Sequence, residues 1–299
     1  MNHHALYASQ DILGVMNKSY GTVHSVFNNS FNVNFGDRLV HFGAADAGLV
    51  PFGISLDKRG VGALLNVVKA GDVVYFREDD QLLMFAGGGM AISLEAAVWF
   101  NPFISESSFD KAVLKKNMQT LITLLIQEKW EAGFEEDTEV LIEAIVSYSP
   151  WMDDHPLLKG VKDLKGFLSG HSNAKGETLL DFWIGRGKGL TPSGDDFLIG
   201  MLALLAASGQ LPEVFKSTIH DYIQTRGSKR TTQVSLEYLW YAVQLKFGSH
   251  VNNVCLALIN GNQDDIYREA SELRKAGHTS STDTMIGILF GCQSIMEGK

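Results

Sequence analysis

The chain is poor in cysteine, in positive charge and in long apolar runs. Only Cys255 and Cys292 occur in 299 residues, each inside an apolar stretch, and no CxxC pair or Cys/His metal spacing is present. That excludes a disulfide framework and a cysteine-based metal site, and both thiols are expected to be buried and free. Lysine and arginine number 25 against 34 acidic residues, a net charge of −9. A nucleic-acid backbone needs a basic face, so no nucleic-acid partner is expected, although a local cationic pocket stays open. No uninterrupted apolar stretch reaches about 18 residues, the length of a membrane span. The opening Met-Asn-His-His-Ala-Leu-Tyr lacks the charged-then-apolar form of a signal peptide. The expectation is a cytoplasmic protein with no membrane partner. Low-complexity tracts, a biotin-attachment lysine motif and a Ser/His/Asp or Cys/His nucleophile set are also missing. What is there is 45% apolar and 20% charged, the mix of a globular protein with a real core. The length allows one large domain or two ordinary ones.

Two periodicities divide the chain near residue 105. Before it, Phe31-Asn32-Val33-Asn34-Phe35 alternates with period two, and Gly36-Asp37 follows as a turn. Short apolar runs at 39–42, 73–76, 82–85 and 91–94 are parted by glycine or acidic turns, with one helical interruption around 59–69. This pattern predicts a small barrel or sandwich over 1–105. After Asn101-Pro102 the spacing is helical, with Leu114, Met118, Leu121 and Leu125 on one face. Thr138 is placed to cap the next helix. Turns fall over 150–175, and helices are expected at 178–184, 196–208, 212–225, 231–247, 250–260, 264–276 and 283–297. The fold class is α+β: a β-rich N-terminal barrel or sandwich, then a larger mostly α-helical part over 106–299 with an internal pseudo-repeat.

Residues 185–200 are the most informative stretch. Gly185, Gly187 and Gly189 alternate with Arg186 and Lys188, followed by Leu190, Thr191, Pro192, Ser193, Gly194, Asp195 and Asp196, and an apolar run begins at once. Glycines let backbone approach a ligand, and a helix start offers unpaired N–H groups and a positive dipole end, which suit an anion. Arg186 and Lys188 would pair with it, and the amides of Gly187, Gly189 and Gly194 would cradle it. Asp195 and Asp196 could hold a divalent cation such as magnesium, or orient Lys188. The bland alternative makes Ser193-x-x-Asp196 a capping-box variant, with Gly200 and Gly287 permitting close helix packing. It leaves Gly-Arg-Gly-Lys-Gly unaccounted for. The stretch is not a P-loop, since no Gly-Lys-Ser/Thr ends it.

A second copy follows. Ser193-x-x-Asp196-x-Leu198-Ile199-Gly200 aligns with Ser280-x-x-Asp283-x-Met285-Ile286-Gly287, and Gly277, His278 and Thr279 precede it. Two such loops opening two helices suggest that Asp196 and Asp283 converge on one cleft. His278 is a candidate acid/base or oxyanion donor, with His171 and His250 as weaker loop candidates. His3 and His4 read as terminal ornament. In a third segment, Thr231, Ser235 and Tyr238 share a helical face beside Thr232, a stripe that lines a pocket or a helix contact.

Taken in order, Gly-x-Gly-x-Gly-Leu-Thr-Pro-Ser-x-Asp-Asp-x-Leu-x-Gly, Thr-Thr-x-Val-Ser-x-x-Tyr-Leu-x-Tyr-Ala and Gly-His-Thr-Ser-x-x-Asp-Thr-x-x-Gly resemble a bacterial family. It includes the oxamate carbamoyltransferase subunit of anaerobic allantoin breakdown, and it has also been labelled a carboxylase. The match is specific over about 183–291. The resemblance places Gly189, Thr191, Pro192, Ser193, Asp195 and Asp196 in the first motif. Thr231, Thr232, Ser235 and Tyr238 fall in the second, and Gly277, His278, Thr279, Ser280 and Asp283 in the third. It implies the reversible reaction of phosphate with oxalurate to give oxamate and carbamoyl phosphate, hence a small anionic substrate, and it implies further enzyme subunits. The reading carried forward is a carbamoyltransferase subunit, with His278, Asp196 and Asp283 as candidates for proton chemistry. A non-catalytic metabolite- or nucleotide-binding subunit and a metal-assisted carboxylase stay as alternatives.

Overall fold

The computed structural model describes residues 2–17, 20–134, 136–147, 154–170 and 175–298. The turns expected at Ser149-Pro150 and His171-Ser172-Asn173 lie outside these residues, as does His171. The chain separates into two compact units, Met1–Pro102 and Phe103–Lys299, each with its own apolar core.

In the first unit, ten short strands make one curled half-barrel sheet. They are β1 (Asn2–His4), β2 (Tyr7–Ser9), β3 (Tyr20–Val26), β4 (Ser30–Phe35), β5 (Arg38–Ala44), β6 (Gly53–Leu56), β7 (Val73–Arg77), β8 (Leu82–Phe85), β9 (Met90–Ser93) and β10 (Val98–Phe100). The order across the sheet is β1-β9-β8-β7-β3-β4-β5-β6-β2-β10. The runs β3–β4–β5 and β7–β8–β9 are antiparallel meanders, while β1–β9, β5–β6 and β2–β10 pair in parallel. Gly36 takes φ 80° in the two-residue turn between β4 and β5, a conformation that hairpin turns of this length require. Alternation puts Phe31, Phe42 and Phe85 inward. Phe31 stacks on Phe42 at 4.8 Å, and Phe85 meets both edge-on. Helices α1 (Ile12–Met16) and α2 (Lys58–Leu65) add Ile12, Met16, Val61 and Leu64 to this core. His3 and His4 are not ornament: they lie in the edge strand β1, paired with Ile92 and Ser93.

The second unit is helical: α3 (Lys111–Gln127), α4 (Thr138–Val146), α5 (Pro156–Leu168), α6 (Gly176–Trp183), α7 (Ser193–Ala207), α8 (Glu213–Tyr222), α9 (Ser228–Arg230), α10 (Gln233–Ala242), α11 (Ser249–Asn260), α12 (Gln263–Ala276) and α13 (His278–Glu297). A π-helical turn, Ile223–Gly227, joins α8 to α9. The helix expected over 231–247 starts after Thr232 and ends at Ala242, because Leu245 takes φ 61°. Thr138 does not cap α4. Asp137 holds that position, while the Thr138 hydroxyl accepts from Ala132 N–H at 3.0 Å and donates to the Trp130 carbonyl at 2.9 Å. Among the described residues, no helix is long and apolar enough to cross a membrane. Cys255 and Cys292 are both free and fully buried.

Helix α7 is buried along its whole length, and α13 is its principal partner. The two cross at their repeated glycines. A methyl group on Gly200 would overlap the Thr284 carbonyl, and one on Gly287 would overlap the Phe197 carbonyl. Thr284 and Phe197 occupy equivalent places in the two copies, so the pair has a local pseudo-two-fold. Only a missing Cβ lets the backbones come this close.

Candidate functional site

The pseudo-two-fold brings the two motif starts together. The Ser280 hydroxyl bonds to Asp196, in α7, and the Ser193 hydroxyl bonds to Asp283, in α13. Each serine therefore serves the other helix's carboxyl. Neither Ser193 nor Ser280 caps its own helix: Pro192 and Gly277 hold the cap positions, with no side-chain cap bond. The capping-box reading fails because the hydroxyls turn across the crossing. Thr191 Oγ1 and Ser280 Oγ lie 2.7 Å apart, tying the first loop to the second helix.

The glycine loop owes much of its composition to packing. Gly185, Gly187 and Gly189 all have positive φ, at 79°, 109° and 93°. A methyl on Gly185 would overlap the Arg230 carbonyl, and one on Gly187 would come within 2.8 Å of the Ser193 nitrogen. A methyl on Gly189 would meet nothing within 4 Å, so this position needs glycine for its φ alone. Gly194, read as an anion-binding amide, is corrected. It packs on the Trp183 carbonyl, and its N–H donates to the Arg186 carbonyl at 2.9 Å.

Asp195 is the anchor of this loop. It accepts from Gly185 N–H at 2.9 Å, from the Ser235 hydroxyl at 2.7 Å and from the Thr231 hydroxyl. The Thr232 hydroxyl donates to the Leu190 carbonyl and accepts from Ser235 N–H at 3.1 Å. So Thr231, Thr232 and Ser235, which the sequence left between a pocket lining and a helix contact, have their hydroxyls engaged in holding the first motif. Thr231 also precedes α10 rather than lying on it. Asp195 and Asp196 have separate partners, and among the described residues no three His, Cys, Asp or Glu side chains are grouped to hold a metal ion.

Asp196 and Asp283 are a different matter. Their residues are only 7% and 1% exposed, and among the described residues no Lys or Arg forms an ion pair with either. Asp283 Oδ1 accepts from Gly133 N–H at 2.9 Å. Asp196 Oδ2 is buried with no hydrogen-bond partner. Burial pushes the Asp196 carboxyl well above the usual range, and the charges of Asp283 and Asp195 add to that against the Ser280 and Thr191 hydroxyls. Burial lifts Asp283 to about 6, opposed by the Gly133 N–H and the Ser193 hydroxyl. Burial thus favours the protonated form of both carboxyls over that of an exposed aspartate. Two interacting carboxyls whose proton affinities are raised by burial have the makings of an acid and a base. Burial also raises the Tyr238 phenol, and the nearby charge of Asp196 adds to this.

Trp183 stacks on Phe197 at 4.5 Å, and Phe134 meets both edge-on, an aromatic cluster whose Phe197 and Phe134 adjoin Asp196 and Gly133 in the chain. Lys188, Gly189, His278 and Thr279 are exposed. His278 opens α13 rather than sitting in a loop, and it lies outside the buried cluster. Gly277 is extended and is the one residue between α12 and α13. Arg186 rests its guanidinium over the Phe182 ring at 4.3 Å. His250 lies within α11, not in a loop. Sequence reasoning missed Gly133, whose methyl would collide with Ser193 Oγ and Asp283 Oδ2. Its signal, Ala-Gly-Phe in an otherwise acidic connector, is too short to point to a partner 150 residues away.

With this geometry in view, residues 183–292 match the family described as oxamate carbamoyltransferase subunit AllH. Residues 4–99 match the AllH family N-terminal domain. No solved structure matches the chain.

Proposed function

The chain belongs to the AllH family, and from that premise we propose that it carries the proton-transfer site of an oxamate carbamoyltransferase, formed by Asp196 and Asp283. The buried carboxyl pair supports this reading. A helix crossing gains nothing from two buried acids without a cation, one of them with an unpartnered oxygen, because each such group costs stability. Perturbed acids of this kind concentrate where chemistry is done.

In the direction that consumes oxalurate, an oxygen of hydrogen phosphate attacks the ureido carbonyl carbon. The new C–O bond forms as the bond to the oxamate nitrogen breaks. The Asp283 carboxylate takes the phosphate proton, and protonated Asp196 gives its proton to the departing nitrogen. Carbamoyl phosphate and oxamate leave. The pair still holds one proton, moved from Asp196 to Asp283, and exchange with water between turnovers restores the starting state. The exposed rim of Lys188, Gly189, Thr279 and His278 faces the anionic ends, helped by the positive end of α13. The family description as a subunit implies partner subunits that complete the enzyme.

The test is carbamoyl phosphate formation from oxalurate and phosphate by the assembled subunits, with and without magnesium. Asp283→Asn is expected to lower kcat by about 10²–10⁴-fold with the melting curve retained. Turnover within a few-fold of wild type would instead assign this chain a non-catalytic, metabolite-binding role.

A further inference from the structure

We infer that the Asp196–Asp283 pair recognises the uncharged primary-amide end of the substrate and turns away a carboxylate, so that an amido acid such as oxamate enters amide first. This rests on the proposed site and assigns its specificity.

Three observations carry it. Asp196 Oδ2 is a buried oxygen with no partner, on a residue only 7% exposed. The groups bonded to the two carboxyls are hydroxyls and one backbone amide: Ser280 and Thr191 on Asp196, Ser193 and Gly133 N–H on Asp283. Among the described residues, no Lys or Arg pairs with either carboxyl. Protonated on Asp196, as the proposed reaction requires, the pair presents one donor and several acceptors. A primary amide presents one acceptor and two donors, which is the complementary set. A carboxylate presents acceptors only, and its charge would be buried against Asp283 with no compensating cation. The Gly133 peptide, an amide N–H already seated on Asp283 at 2.9 Å, shows the kind of donor that this position takes.

Calorimetric titration of the full chain at pH 8 tests this with oxamate and with oxalate, which replaces the amide by a second carboxylate at nearly the same size. Oxamate is expected to bind about tenfold or more tightly than oxalate, since burying like charges together costs more than the 1.4 kcal/mol that a factor of ten represents. Asp196→Asn, which puts an amide donor in place of the carboxyl, is expected to narrow that ratio, and Asp283→Asn gives the same readout should the first variant fail to melt cooperatively. Equal binding of the two ligands, binding of neither, or an unchanged ratio in a folded variant overturns the inference. The proposed function fails separately: wild-type turnover in Asp283→Asn alongside a clear preference for oxamate would sink the proton-transfer role and leave the specificity standing.

Discussion

Asp283 sets a pH response at the scale of a single residue. Its carboxyl titrates at about 6 when folded, against about 3.9 in an unfolded chain. Between those values the folded state binds more protons than the unfolded one, so stability falls as pH rises through the window. What this group contributes is present in full below about pH 4 and gone above about pH 6. Asp196 is raised in the same direction and adds to the trend. In urea titrations from pH 4 to 7, Asp283→Asn should lose a pH-dependent component of a few kcal/mol, since each tenfold change in proton affinity is worth about 1.4 kcal/mol. A variant with the wild-type slope would show that another group sets it. The sequence displayed both carboxyls and both serines, through the spacing of the repeat. It did not display which serine serves which carboxyl, because the bonds cross between helices that are about 85 positions apart along the chain. Nor did it separate Asp195 from Asp196. Neighbours on a helix point about 100° apart, and only the packing tells which side is anchored by Thr231 and Ser235.

Helices α7 and α13 depend on glycine where they cross. Gly200→Ala and Gly287→Ala each drive a methyl into a carbonyl of the facing backbone, which cannot give way as a side chain would. Each is expected to cost several kcal/mol or to prevent folding. Gly62, inside α2 with nothing within 4 Å of its would-be methyl, is the control, and Gly62→Ala should stabilise by about 0.4–1 kcal/mol. Chemical denaturation of the three variants gives the comparison, and a neutral Gly200→Ala would refute the close crossing. Both element types were legible from period-two and helical spacing, as was the role of Gly200 and Gly287 in close packing. The start of α13 was not. Gly277-His278-Thr279-Ser280 has the composition of a loop, yet the chain enters the helix at His278 because one extended residue suffices to leave α12. The π-helical turn at Ile223–Gly227 and the stop at Ala242 were equally hidden, since neither breaks the apolar spacing.

Over the whole molecule, the two units have separate cores, one built on the sheet and one around α7. Residues 103–299 expressed alone should therefore give a helical circular-dichroism spectrum and a cooperative melt, and a gradual, featureless melt would show that the unit cannot stand by itself. The match of separate family descriptions to residues 4–99 and 183–292 follows the same division. All fifteen residues of α7 are buried, so this helix has no polar side to show water. Its main partner is made only after α8 to α12 have been translated. Until then α7 is a sticky apolar rod, a target for chaperones and a seed for aggregation. The rate-limiting event of folding should be the long-range docking of α13, and it is the same event that assembles the carboxyl pair. No partly folded form of this unit can hold the site, so activity should return during refolding no earlier than the last fraction of native packing.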